Sequence, residues 1–138
     1  MSDGSATDFL DVLLVEDDPA LSEMYRLKLV QDGYQVRLAS DGQSGLDAAL
    51  ERPPTLLLLD LRLPNLSGFE LLERLRRVPG WTNRPVIVLS NYGELELIKR
   101  GQALGVLEHL IKSRTTPASL IETIRRLLPD GVPPQISA

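Results

Sequence analysis

The fold of this chain is decided by two stretches of sequence, VLLVEDD at residues 12–18 and LLLLD at residues 56–60. Each stretch is a short apolar run that ends in acidic residues. Uninterrupted apolar runs of this length are typical of strands buried on both faces of a parallel sheet, and ligands collect beyond the carboxyl ends of such strands. The acids that end the two runs are therefore predicted to meet at one edge of a sheet.

The acids predicted to meet are Glu16, Asp17 and Asp60. Neighbouring carboxylates repel one another, and they stay ionised together only if a cation neutralises them. Mg²⁺ is a hard cation that prefers oxygen ligands, so the cluster predicts a site for a metal ion and a phosphate group. Asp18 is interpreted separately, as the capping residue of a helix, because Pro19 suits the first position of that helix.

Composition and charge limit the classes of protein that the chain can represent. Its 138 residues, 43% hydrophobic and 25% charged, fit one globular domain, predicted over 10–128 with flexible ends at 1–9 and 129–138. The net charge of -4 argues against nucleic-acid binding by the surface as a whole. Cysteine is absent, and no segment resembles a signal peptide or a membrane span, so we expect a cytoplasmic protein without a membrane partner.

Strand-like and helix-like patterns alternate along the chain. Helix starts are indicated where a capping residue precedes proline, at Asp18-Pro19 and Thr116-Pro117. The alternation predicts an α/β domain with a doubly wound parallel sheet and helices on both faces. The predicted strands are 12–15, 35–39, 55–60, 86–89 and 107–111, with a helix after each.

Two of the predicted helices carry a further expectation. The fourth, 94–104, lacks a clean apolar stripe and contains Gly101, so we expect it to be the least rigid element. The third carries the basic run Arg74, Arg76 and Arg77, which is interpreted as a solvated helix face rather than a binding patch.

The later strands also end in residues with useful chemistry. Ser90 ends the fourth strand and Lys112 follows the fifth. Neither residue alone indicates a functional site, because a serine at a strand end is usually a turn residue and a lysine there is usually a solvated surface residue. Their occurrence together with Asp60 favours a shared pocket that contains a hydroxyl, an ammonium and a carboxylate.

The order and spacing of these motifs resemble the receiver domains of two-component response regulators, here of the stand-alone, single-domain type. The resemblance runs from about Asp11 to Leu128, and it implies a flavodoxin-like, five-stranded sheet in the order 2-1-3-4-5. The residues that carry it are VEDD at 15–18, DLRLP at 60–64, Gly68, Ser90 and Lys112.

The resemblance implies that Asp60 accepts a phosphoryl group from a sensor histidine kinase or a phosphotransfer protein. It also implies that Mg²⁺ is held by Asp60, by Asp17 directly, by Glu16 through water and by the backbone carbonyl of Arg62. By the same resemblance the chain catalyses only its own phosphorylation and dephosphorylation, and it is not otherwise an enzyme.

The remaining implied roles concern how the domain responds to phosphorylation. Lys112 and Ser90 would bind the phosphoryl oxygens. The surface formed by helix four, strand five and helix five would then repack and control a downstream protein target. The chain would act as a monomer or as a phosphorylation-dependent dimer. Arg62 and Tyr92 would tune the access of water to the acyl phosphate.

Three positions depart from the family's usual residues. His109 stands where a switch tyrosine or phenylalanine is usual; it could add pH sensitivity, although a simple surface histidine is the favoured interpretation. Ser113 replaces the proline after Lys112, and a non-proline cis peptide bond costs about 3 kcal/mol, so the usual cis bond is not assured and Lys112 is expected to be held less firmly. Asn91 replaces a small residue after Ser90 and could gate phosphoryl entry.

Two other classes of protein remain as alternatives. A phosphohydrolase of the haloacid-dehalogenase type also uses an aspartate at a strand end, but it needs a second acid two residues later, where this chain has Arg62. A flavodoxin-like binding module shares the fold, yet its phosphate loop would follow the first strand. The acids at 16–18 repel a bare phosphate there.

Overall fold

The structure, a computed structural model, describes residues 10–91 and 95–129. Strands and helices alternate in the predicted order, and the predicted bounds differ from the observed ones by a few residues. The elements are β1 (Asp11–Val15), α1 (Pro19–Gln31), β2 (Gln35–Ala39), α2 (Gly42–Glu51), β3 (Leu56–Asp60), α3 (Gly68–Arg76), β4 (Val86–Ser90), α4 (Leu95–Ala103), β5 (Glu108–Ile111), a 3-10 turn (Lys112–Arg114) and α5 (Pro117–Leu127).

The five strands form one parallel sheet in the order β2-β1-β3-β4-β5, so the predicted flavodoxin-like topology is confirmed. The chain leaves β1 toward β2 and then returns to the other side of β1 as β3. This reversal creates a switch point between β1 and β3, and a crevice opens beyond their carboxyl ends. Val15 pairs with Leu59 at that position, so the acids that follow both strands enter the same crevice.

Alternate strand residues face two separate hydrophobic clusters, one on each side of the sheet. Leu13 and Val15 pack toward α2 and α3, whereas Val12 and Leu14 pack toward α1 and α5. The apolar residues of β3 are fully buried, which accounts for a sequence that is a continuous run instead of an alternating one. Each buried leucine stabilises the fold by about 1.5 to 3 kcal/mol, so β3 is a rigid support for the residue that ends it.

The predicted helix caps are confirmed. The Asp18 side chain accepts hydrogen bonds from the N–H groups of Ala20 and Leu21, at 3.0 and 3.2 Å. The Thr116 hydroxyl accepts one from the N–H of Ser119 at 3.0 Å. Asp18 is therefore occupied at the start of α1, in agreement with its interpretation as a cap.

One prediction about the surface is wrong. Arg74 and Arg77 are exposed, but Arg76 turns inward from the end of α3. Its guanidinium donates hydrogen bonds to backbone carbonyl oxygens, and burial lowers its pKa. The acceptors are Trp81 at 2.6 Å, Leu104 at 2.8 Å, Arg84 at 2.9 Å and Gly105 at 3.3 Å. Sequence periodicity missed this because the acceptors lie in two loops that only the fold brings beside α3.

Some predictions concern residues outside the described ranges. The predicted flexible ends, 1–9 and 129–138, lie outside them apart from Pro129, and Tyr92 lies outside them as well. Within 10–91 and 95–129, none of the helices combines the length and the apolar character that crossing a membrane requires.

Candidate functional site

The carboxylates that end β1 and β3 come together in the crevice of the sheet, as predicted. Glu16 and Asp60 are buried, with 2% and 3% of their surfaces exposed, while Asp17 is open to solvent. One ligand oxygen from each of the three lies within 4.8 Å of the others. The cluster therefore has a buried floor and an exposed side from which a ligand can enter.

Lys112 lies between two of these acids. It begins the 3-10 turn after β5, and its Nζ atom lies 2.7 Å from Oε1 of Glu16 and 2.9 Å from Oδ2 of Asp60. Burial acts to lower the pKa of Lys112, but its hydrogen bonds with Glu16 and Asp60 raise it above the ordinary value. Lys112 is therefore a permanent cation of the site.

Glu16 differs electrostatically from the other members of the cluster. Burial raises its pKa to about 7, against the opposing effects of the Lys112 hydrogen bond and of the Asp18 N–H that its Oε2 accepts at 3.0 Å. The neighbouring charge of Asp60 raises the pKa further. The charge of Glu16 therefore changes near neutral pH.

The donor set fits a divalent cation. Three carboxylates, from Glu16, Asp17 and Asp60, face one ammonium, from Lys112, so full ionisation leaves a charge of -3 + 1 = -2. A divalent ion balances this surplus, and oxygen ligands suit Mg²⁺ or Mn²⁺. The residues present are therefore able to hold a metal ion, as the sequence predicted.

The backbone holds Asp60 in position from two sides. Its Oδ1 accepts a hydrogen bond from the N–H of Arg62 at 3.1 Å, while Oδ2 faces Lys112. The start of α3 presses against the end of β3, where a Cβ atom on Gly68 would lie only 2.3 Å from the Asp60 carbonyl oxygen. Gly68 is required here because any side chain would displace the strand end that carries Asp60.

Ser90 and His109 form a pair beside the acids. Ser90 is 3% exposed, and its Oγ lies 2.8 Å from Nε2 of the half-buried His109. The interpretation of His109 as a simple surface residue is therefore wrong. The observed strand register explains the pair, because His109 pairs with Val88, and Ser90 shares a face with Val88.

The turn after Lys112 is braced by residues that the sequence did not single out for this role. No peptide bond within 10–91 and 95–129 is cis, so Ser113 follows Lys112 through a trans bond. The Thr115 hydroxyl donates to the Ile111 carbonyl at 2.8 Å, and the buried Tyr25 hydroxyl donates to the Thr115 carbonyl at 2.9 Å. Tyr25 belongs to the apolar stripe of α1, and nothing in that stripe marks its hydroxyl as a distant brace.

The remaining predicted site residues are Asn91, Arg62 and Tyr92. The Asn91 and Arg62 side chains are exposed, and Tyr92 lies outside the described residues. The roles of these three residues in gating or tuning stay predictions.

Most of the chain is similar in sequence to other proteins. The response regulator receiver domain family matches residues 12–125. The chain is 35% identical over 126 residues to the phosphate regulon transcriptional regulatory protein PhoB of Rhizobium meliloti, covering 91% of this chain and 55% of PhoB. It thus spans about half the length of that relative.

Solved structures agree in fold. The chemotaxis response regulator CheY4 of Vibrio cholerae gives a TM-score of 0.81 at 28% identity, covering 87% of this chain and 99% of CheY4. The Mn²⁺-bound form of response regulator Rcp1 gives a TM-score of 0.78 at 25% identity, covering 92% of this chain and 99% of that one.

The chain belongs to the response regulator receiver domain family of two-component, phosphorylation-dependent signalling. Receiver domains of this family are phosphoacceptors that act with histidine kinases, and they are not enzymes in the ordinary sense. The phosphohydrolase and flavodoxin-like alternatives are not favoured.

Proposed function

We propose that this receiver domain accepts a phosphoryl group on Asp60 from the phosphohistidine of a sensor histidine kinase or a phosphotransfer protein. One observation carries the proposal: Asp60 is a buried carboxylate at a strand end, held between Lys112 and two further acids. A buried acid cluster that served only stability would be costly, because its charges repel and lose their hydration.

In the proposed reaction, an oxygen of the Asp60 carboxylate attacks phosphorus. The new O–P bond forms while the P–N bond to the donor histidine breaks, and the electron pair of that bond leaves with the imidazole. Charge on the phosphoryl oxygens is met by the Lys112 ammonium, which is already 2.9 Å from Asp60. The Ser90 hydroxyl is the second proposed donor to those oxygens.

We further propose that the metal ion is Mg²⁺, held by Glu16, Asp17 and Asp60 together with the Arg62 carbonyl. A bound divalent cation would neutralise the phosphoryl oxygens and lower the repulsion between them and Asp60. The distances within the acid cluster and its charge of -2 support this assignment. The Mn²⁺-bound form of Rcp1 is consistent with a divalent ion in a related receiver.

The output of the domain is proposed to be a change in the surface formed by α4, β5 and α5. Phosphorylation turns one negative charge into about two and adds acceptor oxygens, which draw Ser90 toward the modified residue. Gly101 is the buried residue of α4, so this helix has little core packing to resist repositioning. We propose that a downstream protein reads this surface, that the domain binds neither DNA nor a membrane directly, and that it works in the cytoplasm as a monomer or a phosphorylation-dependent dimer.

The acceptor assignment is tested with a small phosphodonor such as acetyl phosphate in the presence of Mg²⁺. We expect wild type to acquire one hydroxylamine-sensitive phosphoryl group per molecule and Asp60→Asn to acquire none, as measured by intact-protein mass spectrometry. Asp47→Asn makes the same chemical change on the exposed face of α2 and should label normally. Stoichiometric labelling of Asp60→Asn would contradict the proposal.

A further inference from the structure

Ser90 and His109 share a hydrogen bond. The proposed phosphorylation of Asp60 does not by itself specify which of the two residues is the donor. Ser90 Oγ lies 2.8 Å from His109 Nε2, and both residues lie on the face of the sheet that carries α3 and α4. Ser90 is also the proposed hydroxyl donor to the phosphoryl group. The Ser90 hydroxyl would therefore have to donate to both His109 Nε2 and a phosphoryl oxygen, unless His109 is itself the donor.

The proton count of this pair decides what Ser90 can donate. A serine hydroxyl has one proton to donate and can accept two hydrogen bonds, whereas phosphoryl oxygens act as acceptors. If Nε2 carries no proton, Ser90 donates to His109 and has nothing left for a phosphoryl oxygen. If Nε2 carries a proton, Ser90 accepts from His109 and keeps its own proton for the phosphoryl oxygen.

We infer that His109 is a positioning residue for Ser90, and that phosphorylation of Asp60 selects the form of His109 with a proton on Nε2. The inference rests on the proposed phosphorylation of Asp60. It describes a relay in which Nε2–H donates to Ser90 Oγ, and the Ser90 O–H donates to the phosphoryl oxygen. Because such coupling is reciprocal, a proton on Nε2 also favours occupation of Asp60.

The residues around His109 bear on which of its ring nitrogens carries a proton. A neutral imidazole carries its proton on one ring nitrogen and accepts a hydrogen bond with the other. On the side of α4, Ile98 and Gln102 line a cavity of about 200 Å³ beside it, and both are uncharged. The acid that lines the cavity, Glu108, pairs with Arg126 at 3.2 Å. Toward the site, β4 contributes the uncharged Ser90, and Lys112, which follows β5, is held by Glu16 and Asp60.

The first test observes the proton directly. The chain contains a single histidine, so the imidazole signals of the untagged protein belong to His109 alone. Long-range ¹H–¹⁵N correlation spectra report which ring nitrogen carries a proton, and they are recorded with and without beryllofluoride and Mg²⁺ as a phosphoryl mimic. We expect Nε2 to be protonated in the beryllofluoride-bound protein. An unprotonated Nε2 in that form would overturn the inference.

The second test compares His109→Gln with His109→Phe. Glutamine keeps an N–H donor that does not titrate, whereas phenylalanine keeps a ring and loses the donor. In Mg²⁺, we expect His109→Phe to bind beryllofluoride about threefold to tenfold more weakly than His109→Gln. Wild type, which can also supply an Nε2–H donor, should bind more tightly than His109→Phe. Equal affinities of all three proteins would overturn the inference.

Two controls separate this inference from other causes. Burial raises the pKa of Glu16 to about 7, but its titration affects all three proteins alike, so the ratios of affinity isolate His109. Asp60→Asn separates the two proposals. If beryllofluoride binds Asp60→Asn as well as wild type, the proposed acceptor and the relay both fail. If binding requires Asp60 but ignores the identity of residue 109, only the relay fails.

Discussion

The two ends of the sheet each hold a half-buried cation, and they hold it with different partners. At the carboxyl ends of the strands, the Lys112 ammonium lies between the Glu16 and Asp60 carboxylates. At the amino ends, the Arg76 guanidinium lies among backbone carbonyls of the loops before β4 and β5. Within residues 10–91 and 95–129, no carboxylate forms an ion pair with Arg76.

This contrast indicates which of the two cations can bind a ligand in place of its present partners. Backbone carbonyls cannot move independently of the chain, and the planar fork of arginine matches several of them at once. Arg76 therefore serves the fold, because displacing it would remove the donor from several partly buried carbonyls. Lys112 is a point charge on a flexible stem, and its partners belong to a cluster with surplus negative charge. Under the proposed function, an incoming phosphoryl group would share Lys112 with these carboxylates while the fold stays intact.

The largest effect expected from this comparison is on phosphorylation by Lys112→Met. If Lys112 meets the phosphoryl charge as proposed, removing this cation should slow labelling by acetyl phosphate about a hundredfold. Lys99→Met, on the exposed face of α4, is the matched control and should label at the wild-type rate. Initial rates are measured at saturating Mg²⁺. An unchanged rate in Lys112→Met would show that Lys112 is only a structural partner of the acids.

The next effect is on stability, at the opposite end of the sheet. Arg76→Met should lower the free energy of unfolding by about 2 kcal/mol, because several partly buried carbonyls lose their donor. The exposed Arg77→Met should change it by less than about 0.5 kcal/mol. Urea denaturation provides the measurement. Labelling per folded molecule should be normal in both variants, and a selective loss of labelling in Arg76→Met would break the distinction between the two ends.

The smallest effect concerns pH and the metal ion. Because burial raises the pKa of Glu16 from 4.5 to about 7, its neutral form stabilises the metal-free fold. That contribution is fully present below about pH 4.5 and is lost as the pH rises through about 7. Binding of Mg²⁺ requires the ionised form, so affinity should fall below about pH 7, by up to about tenfold per pH unit.

Isothermal titration calorimetry with Mg²⁺ at ~pH 6, ~pH 7 and ~pH 8 checks this dependence. Glu16→Gln is permanently neutral, so it should bind Mg²⁺ more weakly and with much less dependence on pH. The same slope in wild type and in Glu16→Gln would assign the titration to another residue.

The sequence predicted the fold closely for reasons visible in particular elements. The runs at β1 and β3 are apolar without alternation because both of their faces are buried, and few other structures produce such a pattern. The caps Asp18 and Thr116 act on backbone groups within three residues, so a local pattern identifies them. Such signals depend on residues that are neighbours in the chain, so they can be recognised without knowledge of the tertiary structure.

The site was only partly predictable, because several of its contacts join residues that are far apart in the sequence. Residues at strand ends are brought together by the topology itself, so Glu16, Asp60 and Lys112 could be grouped in advance. The Tyr25 hydroxyl reaches a carbonyl 90 positions away, and no periodic pattern encodes that distance. The bond between Ser90 and His109 depends on the register of β4 against β5, which the sequence alone left unspecified.

The alternation of strands and helices, the acids at the strand ends and the family to which they point all follow from the amino-acid sequence. Which polar groups face one another does not, as the contacts of Arg76 with carbonyls, Tyr25 with Thr115 and His109 with Ser90 show. The two kinds of feature differ in how far apart along the chain the interacting residues lie. Burial and capping are properties of a residue and its near neighbours, whereas a hydrogen bond needs two atoms from distant segments to lie about 3 Å apart, and packing alone sets that distance.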